Sequence, residues 1–324
     1  MYIVTGGAGL IGSAVVWALN QRGIEDIIIV DHLGTSDKWK NLRALKFIEY
    51  YEKDSFLKVL YEDFFTDIKA VIHMGACSDT TEKDATYLLK NNVEYTEHLA
   101  LWAMENNARF IYASSCATYG DGTLGFEDSE ESLGQLRPLN MYGYSKHYFD
   151  LWAKRRDMFD KICGLKFSNI FGPNEYHKDN MRSVVKKAFE QIMETGKVQL
   201  FKSYKAEYAD GEQKRDFLYV KDAVKIIMYL IDNPEINGLY NVGSGKAQSW
   251  NDLVNAVFKA VNRKPNIEYI DMPEHLKEKY QYFTECNMAK LQTAGYHEAP
   301  MSLDKAIKDY VINYLLPGDH LGDE

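Results

Sequence analysis

The chain reads as an α/β protein, a doubly wound parallel sheet with a second, smaller α/β lobe. Three observations predict this. A strand, a glycine turn and a helix start follow one another at the beginning of the chain, and short apolar runs then alternate with helical patterns. The 324 residues are also enough to bury one large two-lobed core.

The elements follow in order. In MYIVTGGAGLIGS, Tyr2–Thr5 reads as a short buried strand, Gly6, Gly9 and Gly12 as a GxxGxxG turn, and residues 11–22 as a helix. Missing side chains let the backbone approach a pyrophosphate, and the helix N-terminus favours negative charge. The plainer alternative is an ordinary glycine-rich turn, but the context fits on both flanks. Further buried strands are expected at 26–30, Ala70–His73, 109–113 and 164–169, with helices around 87–105 and Met141–Arg155. After Phe171-Gly172-Pro173 the pattern becomes irregular, while 217–220 and 239–242 are expected to return to the main sheet. The lobes therefore interleave. Residues 1–173 plus about 216–249 form a dinucleotide-binding domain, and about 174–215 plus 250–317 a substrate domain.

Composition narrows the function. Hydrophobic residues make up 46% and charged residues 26%, as in soluble globular proteins. No apolar stretch approaches the roughly 18–20 residues of a membrane span. The glycine turn at residue 6 leaves no room for a signal peptide, so a cytoplasmic protein is expected. A net charge of −9 argues against nucleic acid, and an anionic substrate must be met by local cations. There is no internal repeat. Cys77, Cys116, Cys163 and Cys286 lack metal-ligand spacing and read as reduced thiols. Cys116 invites a nucleophile reading, but no base is committed to it, and a small packing residue is favoured.

The chemistry concentrates in MYGYSKHYFD, where Tyr142 precedes Lys146 by four residues, on one helix face. An ammonium beside a phenol favours phenolate, which can take a proton from a substrate hydroxyl. Tyr144 points to the other face. Composition alone yields about two Tyr-x-x-x-Lys pairs, so the pair gains weight only from its context. That context includes YASSCATYG, whose Ser114 and Ser115 end a strand, where open parallel sheets bind ligands.

Glycine turn, Ser115, Tyr142 and Lys146 together resemble the extended short-chain dehydrogenase/reductase family, a Rossmann-like family acting largely on nucleotide sugars. The resemblance covers nearly the whole chain. Within the family the chain is similar to the ADP-glyceromanno-heptose 6-epimerase branch, through VDHLGTSDKWKNL, HMGACSDTTE, NIFGPNEYHKDNM, KRDFLYV and YQYFTE. The resemblance implies epimerisation at C6 of an ADP-linked heptose, by transient oxidation and reduction with a bound nicotinamide cofactor. It also implies a homo-oligomer, a ring of five. Tyr142 and Lys178 are then acid/base groups on opposite sides of the sugar, with Ser115 holding the oxygen. Lys146 binds nicotinamide ribose and lowers the Tyr142 pKa. Read from residues alone, Lys178 could equally pair with a diphosphate or a surface acid; His177 reads as positional or exposed.

The cofactor evidence conflicts. Asp31 stands 19 residues beyond Gly12 and suits the ribose hydroxyl of NAD. Lys38 and Lys53 could neutralise the 2′-phosphate of NADP, or be solvated charges. The branch accepts NADP with this arrangement, so NADP is expected and NAD kept open. The resemblance adds Leu10, Ile11, His32, Met74, Gly75, Ala76, Cys77, Ser78, Asn91, Ile170 and Lys178 to the cofactor site. On the substrate side it adds Asn169, Phe201, Lys202, Ser203, Tyr204 and Tyr280. Arg215 suits a diphosphate through bidentate bonding, or else an ion pair with Asp216. Asn180 and Lys187 stand where the branch usually has serine and histidine, which touches the exact substrate. No metal is expected. The competing readings are another nucleotide-sugar epimerase such as a UDP-sugar 4-epimerase, a dehydratase, and a non-catalytic cofactor sensor. Against them stand, in turn, Lys178 within HKDNM, the Cys116-Ala117 that follows Ser115 where dehydratases carry Asp-Glu, and the presence of both Tyr142 and Lys146.

Overall fold

In a computed structural model the chain is described over residues 1–62, 65–277 and 280–323. The strands are β1 Tyr2–Thr5, β2 Ile27–Asp31, β3 Glu49–Glu52, β4 Ala70–His73, β5 Arg109–Ser115, β6 Ile162–Phe167, β7 Asn169–Phe171, β8 Val198–Phe201, β9 Lys214–Tyr219, β10 Gly238–Val242, β11 Ala247–Ser249 and β12 Ile267–Ile270. Seven of them form the main sheet in the order β10-β6-β5-β4-β1-β2-β3, all pairs parallel. The chain order reverses between β1 and β4, which opens a crevice at their carboxyl ends.

The strand sequences explain the layering. Every residue of β2 and β6 is buried, as expected when helices cover both faces of a parallel sheet. Side chains alternate between two cores. Ile27 and Ile29 join Val15 and Leu19 of helix α1 (Leu10–Gln21), whereas Ile28 and Val30 face Phe56 of α2 (Lys53–Tyr61). The second face is completed by α4 (Tyr95–Glu105) and α5 (Met141–Arg155), with a short helix α3 (Ala85–Leu89) packed against α5. The expected helix over 87–105 contains a π-helical stretch, Lys90–Glu94, between α3 and α4.

Two expectations need correction. Residues 217–220 do not return to the main sheet. Strand β9 pairs with β7 and β11 in a separate three-stranded sheet, and Val220 opens helix α7 (Val220–Asp232). Likewise β6 ends at Phe167, and Asn169 begins β7. The reason is that a short apolar run specifies burial but not its pairing partner. Residues 239–242 do join the main sheet, as β10 beside β6. Edge strand β3 was not foreseen, because its EYYE sequence is polar and partly exposed. Strands β8 and β12 pair as a two-stranded sheet, near α6 (Val184–Thr195) and α8 (Trp250–Ala260). No helix among the described residues is long and apolar enough to cross a membrane.

Candidate active site

A cavity of about 980 Å³ runs along the carboxyl ends of β1, β4 and β5 and on past α6, β9 and α8. Its floor is the glycine turn. Gly6 adopts φ +64°, and a Cβ there would lie 2.6 Å from Gly75 N. A Cβ on Gly12 would lie 2.1 Å from Gly6 O, so only glycine lets α1 start this close to the turn. Gly9 caps α1 without a side-chain bond, leaving the helix N-terminus free for an anion. At the adenosine end, Asp31 is buried. Its Oδ2 accepts from Ala8 N at 2.8 Å, and its Oδ1 from His32 N at 2.7 Å and Lys38 Nζ at 2.5 Å. These features fit a nicotinamide dinucleotide.

Helix α5 supplies the next group. Asn140 caps it by accepting from Gly143 N, and Tyr142, Lys146 and Asp150 fall on one stripe. Asp150 fixes that stripe against the sheet, accepting from Tyr112 Oη at 2.8 Å and Ser114 Oγ at 2.7 Å and lying 3.3 Å from the buried Lys166 Nζ. Tyr142 and Ser115 both line the cavity wall, near enough for the serine to favour the phenolate. Burial raises the Tyr142 phenol above its ordinary value, and Ser115 opposes this. The expected lowering by Lys146 is not found. Burial holds that ammonium down to about 8. Lys146 makes no hydrogen bond or ion pair among the described residues, yet it lines the cavity.

Lys178 enters from elsewhere. It lies on the 3₁₀ segment Tyr176–Met181, which packs on the Asp37–Leu42 turn that carries Lys38. Asn41 Nδ2 ties the two together by donating to Ala8 O and Asn174 O. Asp179 turns the chain sharply at φ +43°. Burial lowers the Lys178 ammonium, with Glu175 opposing and Lys38 adding to the effect. His177 lines the cavity too, and burial with the nearby Lys38 and Lys178 holds it down to about 3. It is therefore a neutral wall residue rather than an exposed one.

Gly6, Gly9, Leu10, Ile11, Gly12, Asp31, Lys38, Met74, Gly75, Ala76, Ser78, Ser115, Tyr142, Lys146, Asn169, Ile170, Lys178, Arg215 and Tyr280 all line this one cavity. Arg215 has no carboxylate partner among the described residues. Its guanidinium lies over the Tyr280 and Trp250 rings and donates to Lys214 O and Gln281 O. Asp216 points elsewhere and accepts from Ser244, Gly245 and Cys286.

Other anticipated residues sit off the cavity wall. His32 is exposed and pairs with Glu52. Lys53 Nζ donates to Asn91 Oδ1 at 2.7 Å, so these two expected cofactor residues bond to each other. Cys77 is held through its backbone by Asn92. Lys187 Nζ donates to Asn180 O at 2.6 Å, so the two departures from the branch pattern bond to each other. Phe201 ends β8; Lys202 pairs with Asp271, Ser203 N donates to Asp210, and the Tyr204 hydroxyl donates to Asp271. The sequence reading missed Asn92, Ser168 and Trp250. Ser168 Oγ is buried without a partner among the described residues and lines the cavity. Ser168 directly precedes the run NIFGPNEYHKDNM, which marked Asn169, Ile170 and Lys178 but not this serine. Among the described residues no cluster of His, Cys, Asp and Glu could hold a metal.

Comparison with known proteins agrees with this geometry. A family profile described as NAD dependent epimerase/dehydratase family matches residues 2–243. A relative from Nitratidesulfovibrio vulgaris, ADP-L-glycero-D-manno-heptose-6-epimerase, is 56% identical over 98% of this chain and 99% of its own. A Fusobacterium nucleatum protein of the same name is 49% identical over 98% and 99%. The crystal structure of Helicobacter pylori ADP-L-glycero-D-manno-heptose-6-epimerase aligns with TM-score 0.79 at 25% identity, covering 96% and 95%. A Methanobrevibacter ruminantium UDP-N-acetylglucosamine 4-epimerase aligns with TM-score 0.82 at 22% identity, covering 98% of both chains, a likeness of fold alone.

Proposed function

From the premise that this chain belongs to the NAD dependent epimerase/dehydratase family, and within it to the ADP-L-glycero-D-manno-heptose-6-epimerases, we propose that it inverts C6 of ADP-D-glycero-D-manno-heptose to give the L-glycero epimer. The observation that carries the reading is that Ser115 from the end of β5, Tyr142 and Lys146 from α5, and Lys178 from the 3₁₀ segment, three separate stretches of the fold, border one cavity with the glycine cradle.

When bound, the nicotinamide supplies an acceptor and then a donor for the C6 hydride. The chain's own residues manage the protons. Inverting a carbinol requires proton transfer at both alcohol configurations, and one side chain serves only one of them well. Tyr142 acts beside Ser115, and Lys178 acts from the Lys38 side. Buried, the phenol keeps its proton and suits the acid role, while the lowered amine suits the base role; the two exchange roles in the reverse direction. Ser115 donates to the C6 oxygen and polarises the carbonyl intermediate. Arg215, whose guanidinium has no carboxylate partner among the described residues, grips the diphosphate between sugar and nucleotide.

We assign NADP as the cofactor, because Lys38 already neutralises the Asp31 carboxylate that would repel a 2′-phosphate. By family resemblance the protein works as a homo-oligomer, a ring of five, in the cytoplasm; sedimentation velocity checks the assembly.

The test is incubation with ADP-D-glycero-D-manno-heptose and NMR of the C6 stereochemistry. An untouched substrate, with a UDP-sugar converted instead, would defeat the reading. Tyr142→Phe is expected to cut kcat by roughly 10²–10⁴. Lys178→Met should do the same when assayed with either epimer; loss of affinity alone would reassign Lys178 to binding.

A further inference from the structure

Cys116 and Cys286 lie 170 positions apart in sequence, yet their sulfurs face each other at 2.9 Å. That is roughly 1 Å beyond a disulfide bond of ~2.05 Å, so bonding needs only a small approach. Both thiols are free and buried, and both are held by their surroundings. Cys116 opens the turn after β5, where Ala117 N donates to Ser115 Oγ, and its Sγ donates to Lys166 O at 3.4 Å. Cys286 N donates to Asp216 Oδ2 at 3.1 Å. Each also borders a route from solvent: Cys116 the main cavity, Cys286 a second cavity of about 580 Å³.

We infer that Cys116 and Cys286 are a disulfide-forming site that takes a hydroperoxide as its oxidant. One thiol attacks the peroxide, giving a sulfenic acid and, from hydrogen peroxide, one water. The facing thiol then displaces the sulfenic oxygen as a second water and forms the S–S bond. Two thiols lose two electrons and two protons, and the peroxide is reduced to two waters. A thiol reductant reverses the step by exchange.

The bond has a consequence for the site. Tyr280, Gln281 and Thr284 line the cavity from the same stretch that carries Cys286, and Gln281 Nε2 donates to Gly120 O. Cross-linking Cys286 to the residue after Ser115 pins this wall to the end of β5, where small displacements of reacting groups are costly. Turnover is lost reversibly.

The experiment treats the purified full chain with hydrogen peroxide, blocks remaining thiols by alkylation, and maps the peptides without reduction. A peptide joining Cys116 to Cys286, separated again by dithiothreitol, is expected, with Cys163 unlinked. Cys286→Ser is expected to turn over like the parent before peroxide and to lose the dithiothreitol-reversible inhibition afterwards; Cys286→Ala repeats the comparison should serine disturb folding. The inference is overturned if both thiols stay alkylatable under peroxide that oxidises the partly exposed Cys77. It is equally overturned if each reaches sulfinic acid singly with no linked peptide. The mass map reads the bond without any turnover, so its failure is separable from failure of the epimerase assignment.

Discussion

The Asp31 carboxylate accepts from Ala8 N, His32 N and Lys38 Nζ, and only Lys38 brings a compensating charge. A buried carboxylate facing a phosphate dianion without that lysine repels it, whereas a ribose hydroxyl still finds an acceptor. Lys38→Ala is therefore expected to weaken NADP binding by about tenfold or more, equivalent to about 1.4 kcal/mol, and NAD binding much less. Calorimetric titration with both cofactors measures this. Equal losses would mean that Lys38 merely positions Asp31. Asp31 and Lys38 were each legible in sequence as candidate cofactor residues, because both follow closely on the second strand, but their bond to each other was not. The remoter Lys53 was also expected at the cofactor, but its bonding was not legible. Its amine goes to Asn91, 38 positions away, and nothing in the local sequence reports that contact.

At the scale of elements, α5 and the π-helical stretch before α4 do the positioning. The π turn carries one extra residue and aims Asn92 inward. Its Oδ1 accepts from Cys77 N, and its Nδ2 donates to Cys77 O and Ser145 Oγ, which staples the loop after β4 to α5. On the other side the Asp150–Lys166 pair ties α5 to β5 and β6, with both side chains inaccessible to solvent. Removing one partner leaves a buried charge uncompensated. Asp150→Asn is expected to cost about 3–5 kcal/mol in urea unfolding, while Asp150→Leu combined with Lys166→Met recovers most of it. A double variant as unstable as the single one would show that packing rather than charge sets the cost. Helix α5 itself could be read directly, since its cap, period and chemistry are local. The π turn, the edge strand β3 and the membership of β9 could not, since each is decided by a partner distant in sequence. The same limit hid the Cys116–Cys286 contact, although both cysteines were noted.

Across the whole molecule, four histidines couple folding to acid: burial lowers His147 and His320, and His73 and His177 furthest. His73 is buried between Thr5 and Thr96, at 2.5 Å and 2.8 Å, and burial followed by the nearby Lys146 holds it down to about 3. His177 is held at about 3 by burial and by Lys38 and Lys178. Both folded values lie below the ordinary 6.5. Between those limits the unfolded chain binds more protons than the folded one, so stability is full above about pH 6.5 and falls as pH drops towards 3. His73 alone contributes a slope of up to about 1.4 kcal/mol per pH unit, and His177, partly exposed, adds in the same sense. Lys146 acts at the other end. Its folded value of about 8 lies below the ordinary 10.5, so its share of stability rises as pH climbs between them. Buried Asp128 and Asp216, raised above the usual carboxylate range, oppose the acid loss, while Asp309 and Asp323, lowered, deepen it below about pH 4. Urea midpoints between about pH 5 and 6, above most carboxylate titration, isolate the histidines. Stability there is expected to fall with decreasing pH at a slope above one proton per chain. A flat profile in that window would mean that the buried histidines, His73 and His177 foremost, are charged in the fold, and with it that His73 holds a different proton arrangement in the Thr5–His73–Thr96 bridge beneath the glycine turn.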